Sequence, residues 1–177
     1  MGWVLGDPNQ EGRSSPTRKA TAMKRLLAIS LLCCLLTPSL ADAKAEDAVS
    51  KVLDGFHLAA SKADGTGYFG YFAPEGVFLG TDGGERWTVE EFRAYAMPHF
   101  SQGKGWTYHP SNRHIAFSPD ATTAWFDEAL SNANYGATRG SGVLRLVGGE
   151  WKICQYNLSV PVPNDLLPEV VKMIRAK

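Results

Sequence analysis

The sequence has few of the residues that make covalent cross-links. It contains three cysteines among 177 residues, and two of them, Cys33 and Cys34, lie in an apolar run near the start. Cys154 is the one cysteine beyond that run. A single remaining cysteine excludes an internal disulfide, and its place in an apolar strand favours a packing role over a reactive one.

An excess of charge of either sign is also missing. The chain carries 18 basic and 18 acidic residues, and from Asp42 onward the count is 13 against 16. Such a balance predicts no nucleic-acid partner and no binding to a membrane surface. No nucleotide loop, Ser-His-Asp spacing or Cys-His metal set is present either, so we expect no cofactor and no metal.

The start of the chain contains an export pattern. In "MKRLLAISLLCCLLTPSLADA" two basic residues follow Met23, an apolar run spans Leu26–Leu36, and a small-residue cleavage site follows. This pattern predicts a signal peptide over 23–41 and a periplasmic or secreted protein. The polar stretch 1–22 is interpreted as an upstream extension, with Met23 as the true initiator.

Residues 42–177 are predicted to form a single domain. Helical spacing in "AEDAVSKVLDGFHLAASKADG" is followed by an aromatic helix or turn that is expected to stop near Pro74. A third helix starts with a capping box of Thr88 and Glu91 and is expected to end at Pro98. Alternating segments follow, and Asn164 is a predicted N-cap for a C-terminal helix. The strand-like segments are "GWTYHP", "NRHIAF", "TAWFDEAL", "RGSGVLRL" and "WKICQYNLSV".

Helices first and antiparallel strands afterwards indicate the α+β class. A sheet of five or six strands that packs helices on one face must curve around them, since flat sheets pack helices poorly. We therefore expect a cone-shaped, strongly curved antiparallel sheet wrapped around the N-terminal helices. The open end of such a cone is a suitable place for a small ligand.

Several strings resemble a known family. They are "YFAPEGVFLGTDGGERWTVEEFRAY", "GKGWTYHP", "AWFDEAL", "RGSGVL" and "WKICQYNLSVPVPN". Over residues 46–171 the chain is similar to SnoaL-like domains of the nuclear-transport-factor-2-like superfamily. The resemblance implies the cone fold and a homodimer, but it does not fix a function, because the superfamily contains cyclases, isomerases and dehydratases as well as non-catalytic modules.

The strand "TTAWFDEAL", residues 122–130, places two acids side by side. Neighbouring side chains on a strand point to opposite faces, so one of Asp127 and Glu128 faces the interior. The alternation slightly favours Glu128. An inward carboxylate in an apolar pocket has a raised pKa and can act as a general acid or base. The alternative is an ion pair with Arg113 or Arg139 on neighbouring strands.

Arg113 and Arg139 are also predicted ligand-binding residues, and the others come from two further strands. Alternation in "WKICQYNLSV" predicts that Gln155 and Asn157 point inward, where the resemblance implies histidines in many relatives. Amides bind but do not transfer protons, which favours binding over catalysis. Trp106 and Tyr108 would form an aromatic wall. His57, beside the apolar stripe of the first helix, is interpreted as a surface or structural histidine.

Three functions remain open from the sequence. The first is an exported domain that binds a small apolar or aromatic molecule without chemistry. The second is a cofactor-independent cyclase, isomerase or dehydratase that uses Glu128 or Asp127. The third is a protein-interaction module. Pocket volume separates the third function from the others, and the protonation of the inward acid separates the second from the first.

Overall fold

In a computed structural model, residues 40–176 of the chain are described, with side chains from residue 43 onward. The predicted extension 1–22 and nearly all of the predicted signal peptide 23–41 lie outside the described residues and stay predictions. Among the described residues, no helix is long and apolar enough to cross a membrane.

Three helices come before most of the sheet. Helix α1 spans Leu40–Ser61 and helix α2 spans Gly65–Gly70. The apolar stripe of α1 follows from spacings of three and four residues, which place its members on one side of the helix. Its buried members include Val49, Leu53, Phe56 and Ala60.

Helix α3 spans Val89–Phe100 and begins as predicted. The Thr88 hydroxyl accepts a hydrogen bond from the Glu91 backbone N–H, and the Glu91 carboxylate accepts one from the Thr88 backbone N–H, so the capping box is confirmed. The predicted end at Pro98 is wrong. Proline removes only one backbone donor, and the last turn still closes through the Ser101 N–H and the Met97 carbonyl.

Six strands form one sheet that does not close. They are β1 (Phe72–Leu79), β2 (Arg86–Thr88), β3 (His109–Phe117), β4 (Thr123–Asn132), β5 (Gly136–Val147) and β6 (Glu150–Ser159). The order across the sheet is β2-β1-β6-β5-β4-β3, with β1 parallel to β6 and the other pairs antiparallel. The predicted α+β class is therefore confirmed.

Two strand predictions need correction. Pro74 does not stop a helix; it lies inside β1, where the pairing with β6 is irregular between Phe72 and Val77. A proline is tolerated at such an irregularity because no ladder donor is needed there. The segments predicted as two strands around residues 105–117 form one strand, β3, and Trp106 and Tyr108 lie in the loop before it.

The C-terminal helix α4 spans Leu167–Arg175, but its predicted cap is wrong. Leu166 is the N-cap and makes no side-chain hydrogen bond, and Pro168 lies at the start of the helix. A proline there needs no capping partner for its missing N–H. Asn164 therefore lies before the helix without capping it.

The core lies between helices α1 to α3 and the inner face of the sheet. Phe56 of α1 stacks on Tyr68 of α2 with ring centroids 4.4 Å apart, and it contacts Tyr156 of β6 at 4.8 Å. Buried side chains of β4 and β5 join the same cluster. This aromatic packing fixes the position of α1 over the sheet.

Candidate active site

Glu128 is the inward acid of β4. Its side chain is fully buried, whereas Asp127 is exposed on the outer face. The inner residues of the strand are the set that alternation favoured: Ala124, Phe126, Glu128 and Leu130. The regular pairing of β4 with β5 over its whole length keeps this alternation intact.

Three side chains bind the Glu128 carboxylate. His57 Nε2 lies 2.6 Å from Oε1, and Arg113 Nε lies 2.7 Å from Oε2. The Tyr156 hydroxyl is 3.4 Å from Oε1. The predicted ion pair with Arg113 is therefore present, whereas Arg139 is exposed on the outer face and takes no part.

A β-bulge points Arg113 at Glu128. Ser111 pairs with Ala129 and His114 pairs with Asp127, so β3 contains one residue more than β4 between these pairs. Asn112, inside the bulge, has a positive φ of 47°. Without the extra residue Arg113 would lie opposite Asp127 on the outer face. The bulge reverses the alternation and turns the guanidinium inward.

A second bulge, at Cys154 in β6, changes the predicted orientation of the last strand. Val143 pairs with Gln155 and Leu144 pairs with Ile153, which leaves Cys154 as the extra residue. Beyond it the inward residues are Tyr156 and Leu158. The prediction that Gln155 and Asn157 point inward is therefore wrong: Gln155 is exposed, and Asn157 lies on the same outer face.

Gly140 provides the space for this cluster. It pairs with Glu128 across β4 and β5. A Cβ at this position would lie 2.5 Å from the Tyr156 hydroxyl and 3.0 Å from Glu128 Oε1. A larger residue would displace one of the two groups, so glycine here serves the packing of the carboxylate.

The Glu128 carboxyl is held in its ionised form. Burial raises its pKa, but the hydrogen bond and charge of His57 and the charge and hydrogen bond of Arg113 outweigh burial and hold the pKa below its ordinary value. The expected raised pKa is therefore wrong, because Glu128 has two donor partners: Arg113, which the sequence offered as the alternative, and His57, which it did not. Glu128 is an acceptor at neutral pH.

Asp54 extends the charged cluster on its outer side. Its Oδ1 lies 2.8 Å from Arg113 Nη1, which also donates to the Ser50 carbonyl at 3.2 Å. Arg113 is 14% exposed, and its Nη2 has no hydrogen-bond partner among the described residues. Arg113 thus bridges two carboxylates, one buried and one exposed.

His57 is the functional residue that the sequence interpretation missed. It is 7% exposed and projects from α1 between the helix and the sheet. Because Glu128 is ionised, the imidazole donates from Nε2, and in the neutral ring the lone pair is then on Nδ1. Nδ1 makes no hydrogen bond to another residue of the described part. The spacing of His57 from Leu53 and Ala60, four and three residues, was the available signal.

His57 forms part of the wall of a small inner cavity. The cavity has a volume of about 20 Å³ and is also lined by Phe56, Tyr68, Tyr108 and Tyr156. Toward solvent it adjoins a larger opening of about 240 Å³, which we call the mouth. Trp106 and Tyr108 line both spaces, as the predicted aromatic wall requires. The aromatic residues of the mouth are Phe78, Phe92, Tyr95, Trp106, Tyr108 and Tyr135.

A family comparison identifies the domain. The SnoaL-like domain family matches residues 49–163, which is most of the described chain. The chain belongs to the SnoaL-like domain family. The match agrees with the predicted resemblance over residues 46–171. No curated protein matches the chain.

Solved structures share the fold of this SnoaL-like domain. An NTF2-like protein of unknown function from Pseudomonas putida KT2440 has a TM-score of 0.58 at 12% identity, covering 70% of this chain and 91% of the other. A candidate scytalone dehydratase from Novosphingobium aromaticivorans DSM 12444 gives 0.56 at 12% identity, with coverages of 66% and 84%. A candidate NTF2-like dehydratase from Streptomyces avermitilis gives 0.55 at 12% identity, with 68% and 99% covered.

These likenesses establish the fold of the SnoaL-like domain and leave its chemistry to the site residues. Within residues 40–176, no three His, Cys, Asp or Glu side chains gather into a group that could hold a metal ion. The described residues that could perform chemistry are a buried, ionised carboxylate and the histidine bound to it, whose ring lines a cavity.

Proposed function

We propose that this SnoaL-like domain is a cofactor-independent acid–base enzyme in which His57 transfers a proton and Glu128 positions it. The observation that carries the proposal is the 2.6 Å contact between His57 Nε2 and the fully buried Glu128, with the same imidazole facing the cavity. An oriented base whose partner fixes its tautomer is the usual arrangement of a proton-transfer site.

The proposed reaction starts at His57 Nδ1. This nitrogen takes a proton from a carbon next to a carbonyl group, and the electron pair of the broken C–H bond moves to the carbonyl oxygen. The imidazolium then returns the proton to another carbon, which is an isomerisation, or to a leaving hydroxyl group, which releases water and forms a C=C bond. Glu128 stabilises the imidazolium without taking its proton.

Tyr108 is the proposed donor to the developing oxyanion. Burial, followed by the charge of Tyr135, raises the pKa of Tyr108 to about 12, so the phenol stays protonated and can donate. It lines the inner cavity together with His57. A preorganised donor at the place where negative charge develops lowers the barrier to enolate formation.

Arg113 is a positioning residue in this scheme. Its hydrogen bond to Oε2 fixes the carboxylate, and its charge keeps Glu128 ionised, so that Oε1 accepts from His57. A protonated Glu128 could donate a hydrogen bond to His57 instead of accepting one, and the imidazole would no longer be held in a single orientation. The bulge in β3 thus acts on the reaction through Arg113 and Glu128.

Two further findings support proton transfer over binding alone. Inward amides would favour binding without chemistry, but neither Gln155 nor Asn157 is on the inner face. Two of the proteins with the same fold are candidate dehydratases. Binding without chemistry stays the second candidate, since an inner cavity of about 20 Å³ holds little more than one water and leaves most of any ligand in the mouth.

The test is solvent-deuterium exchange. β-Tetralone, a small uncharged aromatic ketone, is incubated with the protein in D₂O, and exchange at its α-carbons is followed by NMR. We expect protein-dependent exchange that falls by about 10²-fold or more in His57→Gln, because general-base catalysis contributes that much. This assay needs no knowledge of the natural product.

Asp127→Asn is the matched control, because it removes a neighbouring carboxylate from the outer face. It should keep the exchange rate of the wild type. Exchange that is absent in the wild type while β-tetralone still binds in the mouth would leave binding without chemistry as the better function. Equal exchange in His57→Gln and wild type would exclude His57 as the base.

A further inference from the structure

The mouth carries a single kind of charge. Among the described residues that line it, Glu85 is the one charged side chain, and its polar neighbours Thr81, Asn132 and Asn134 are uncharged. Arg86, the next residue along the chain, lines a separate groove with Trp87 and Glu91. A ligand that enters the mouth therefore meets one carboxylate and no cation.

The Glu85 carboxylate is held in place. Its Oε2 accepts a hydrogen bond from the Asp82 backbone N–H at 3.2 Å, and the Glu85 N–H donates to the Asp82 carbonyl at 3.0 Å. The side chain lies over Gly80, where any Cβ would collide with it. The negative charge is thus a fixed feature of the turn between β1 and β2.

The interior adds to this negative charge. The cluster contains the buried Glu128 and the exposed Asp54 against one cation, Arg113, which contacts both carboxylates. A proton on His57 balances the cluster but leaves Glu85 without a counter-charge. An anionic ligand would meet the Glu85 carboxylate and no cation among the described residues that line the mouth, which is electrostatically unfavourable.

The walls of the mouth favour aromatic ligands. Phe78 and Phe92 stack with centroids 3.9 Å apart, and Tyr95 and Tyr135 leave more than half of their surface exposed. Asn132 orders the β4–β5 turn by accepting from the Asn134 and Tyr135 N–H groups and by donating to the Thr107 carbonyl. The exposed phenol rings, one on helix α3 and one on this turn, can stack on a ligand ring or bind a cation.

We propose that the mouth selects uncharged or cationic aromatic molecules and rejects anionic ones such as carboxylates and phosphate esters. This proposal names the substrate class of the proposed acid–base site. It rests on the proposed function in one respect: the mouth is taken as the route by which a ligand reaches His57. The aromatic residues supply affinity, and Glu85 supplies the discrimination by charge.

The test is a matched series of naphthalene probes. 1-Naphthalenemethanol is uncharged, 1-naphthylmethylammonium is a cation and 1-naphthoate is an anion, on the same ring. Dissociation constants are measured by calorimetry at pH 7.5 and low salt. We expect the alcohol and the ammonium to bind at least about fivefold more tightly than the carboxylate, since one charge at close range in a screened site has this order of effect.

Two variants test whether Glu85 causes the preference among the charged probes. Glu85→Gln should reduce the preference for the ammonium over the carboxylate to less than about twofold, because its charge is removed with little change of shape. Glu90→Gln removes an exposed carboxylate of α3 that does not line the mouth, and should leave the preference unchanged. His57→Gln should keep the charge preference even if proton exchange is lost.

Two outcomes would overturn the inference. One is 1-naphthoate binding as tightly as the uncharged probe, and the other is no saturable binding of any probe. A preference for the ammonium that survives in Glu85→Gln would show that Glu85 does not set it. None of these results depends on catalysis, so they are distinct from failure of the β-tetralone exchange test.

Discussion

Asp127 and Glu128 are adjacent carboxylic acids in the same strand, yet they have different physical roles. Asp127 lies in solvent on the outer face and makes no hydrogen bond to another described side chain. Glu128 is fully buried and binds His57, Arg113 and Tyr156. Alternation along one strand therefore puts the Asp127 charge in solvent and the Glu128 charge in the interior, where its partners compensate for the loss of hydration.

Removing each carboxylate gives the largest expected contrast. Glu128→Ala should lower the free energy of unfolding by about 3–5 kcal/mol, because it leaves the mostly buried Arg113 with Asp54 as its one ionic partner among the described residues and also leaves a cavity. Asp127→Ala should change it by less than about 0.5 kcal/mol. Urea unfolding at pH 7 measures both. A loss of less than about 1 kcal/mol in Glu128→Ala would contradict the buried ion pair.

The glycine opposite Glu128 gives the next largest effect. Gly140→Ala should destabilise by about 1–3 kcal/mol, since the new methyl group must displace the Tyr156 hydroxyl or the carboxylate. Gly70→Ala is the matched control, because a Cβ there meets nothing within 4 Å. Thermal unfolding of the two variants is the measurement. Equal stability of both would show that the cluster adapts without strain.

The second bulge predicts a smaller contrast between neighbours in β6. Tyr156→Phe removes a buried hydroxyl that donates to Glu128, with an expected loss of about 0.5–1.5 kcal/mol. Gln155→Ala on the outer face should stay within about 0.5 kcal/mol. Denaturant unfolding of both variants checks which residue faces inward. The opposite ranking would place Gln155 inside and remove the bulge at Cys154.

The smallest expected effect is a dependence on pH. The pKa of Glu128 is lowered in the folded state, so its contribution to stability is present above the ordinary value of 4.5 and is lost as the pH falls through the folded pKa. The stability difference between wild type and Glu128→Gln should therefore shrink as the pH falls below about 4.5. Urea midpoints between pH 3 and 7 measure this difference.

A difference that grows toward acid pH would reverse this assignment. It would mean that Glu128 is more easily protonated in the folded state than in the unfolded chain, as in an apolar pocket without partners. The other carboxyls with lowered pKa values, such as Glu91 and Asp120, are present in both proteins and cancel in the comparison.

The sequence predicted the regular parts of this fold and failed at the irregular ones. The capping box of Thr88 and Glu91 and the inner face of β4 follow local rules that hold in the structure. Alternation fails where one residue is inserted into a strand, near Asn112 and at Cys154. Such bulges depend on pairing with a neighbouring strand, which a pattern along one strand does not contain.

The candidate site is built at those two irregularities. One bulge turns Arg113 inward and the other turns Tyr156 inward, so the sequence interpretation found Glu128 but not the full set of its partners. The helical spacing could have predicted that His57 is buried, since Leu53 and Ala60 of the same stripe are buried. A histidine on a buried stripe needs a partner, and Glu128 was the available acid.

The most direct test of the account is the tautomer of His57. Two-bond ¹H–¹⁵N NMR spectra of the labelled protein at pH 8, with the resonance assigned by its loss in His57→Gln, distinguish a protonated Nε2 from a protonated Nδ1. The account predicts a proton on Nε2, donated to an ionised Glu128, with the lone pair on Nδ1 facing the cavity. A proton on Nδ1 alone would mean that His57 accepts from Glu128, and protons on both nitrogens would mean a cation without a lone pair; either result would contradict its proposed role as the base.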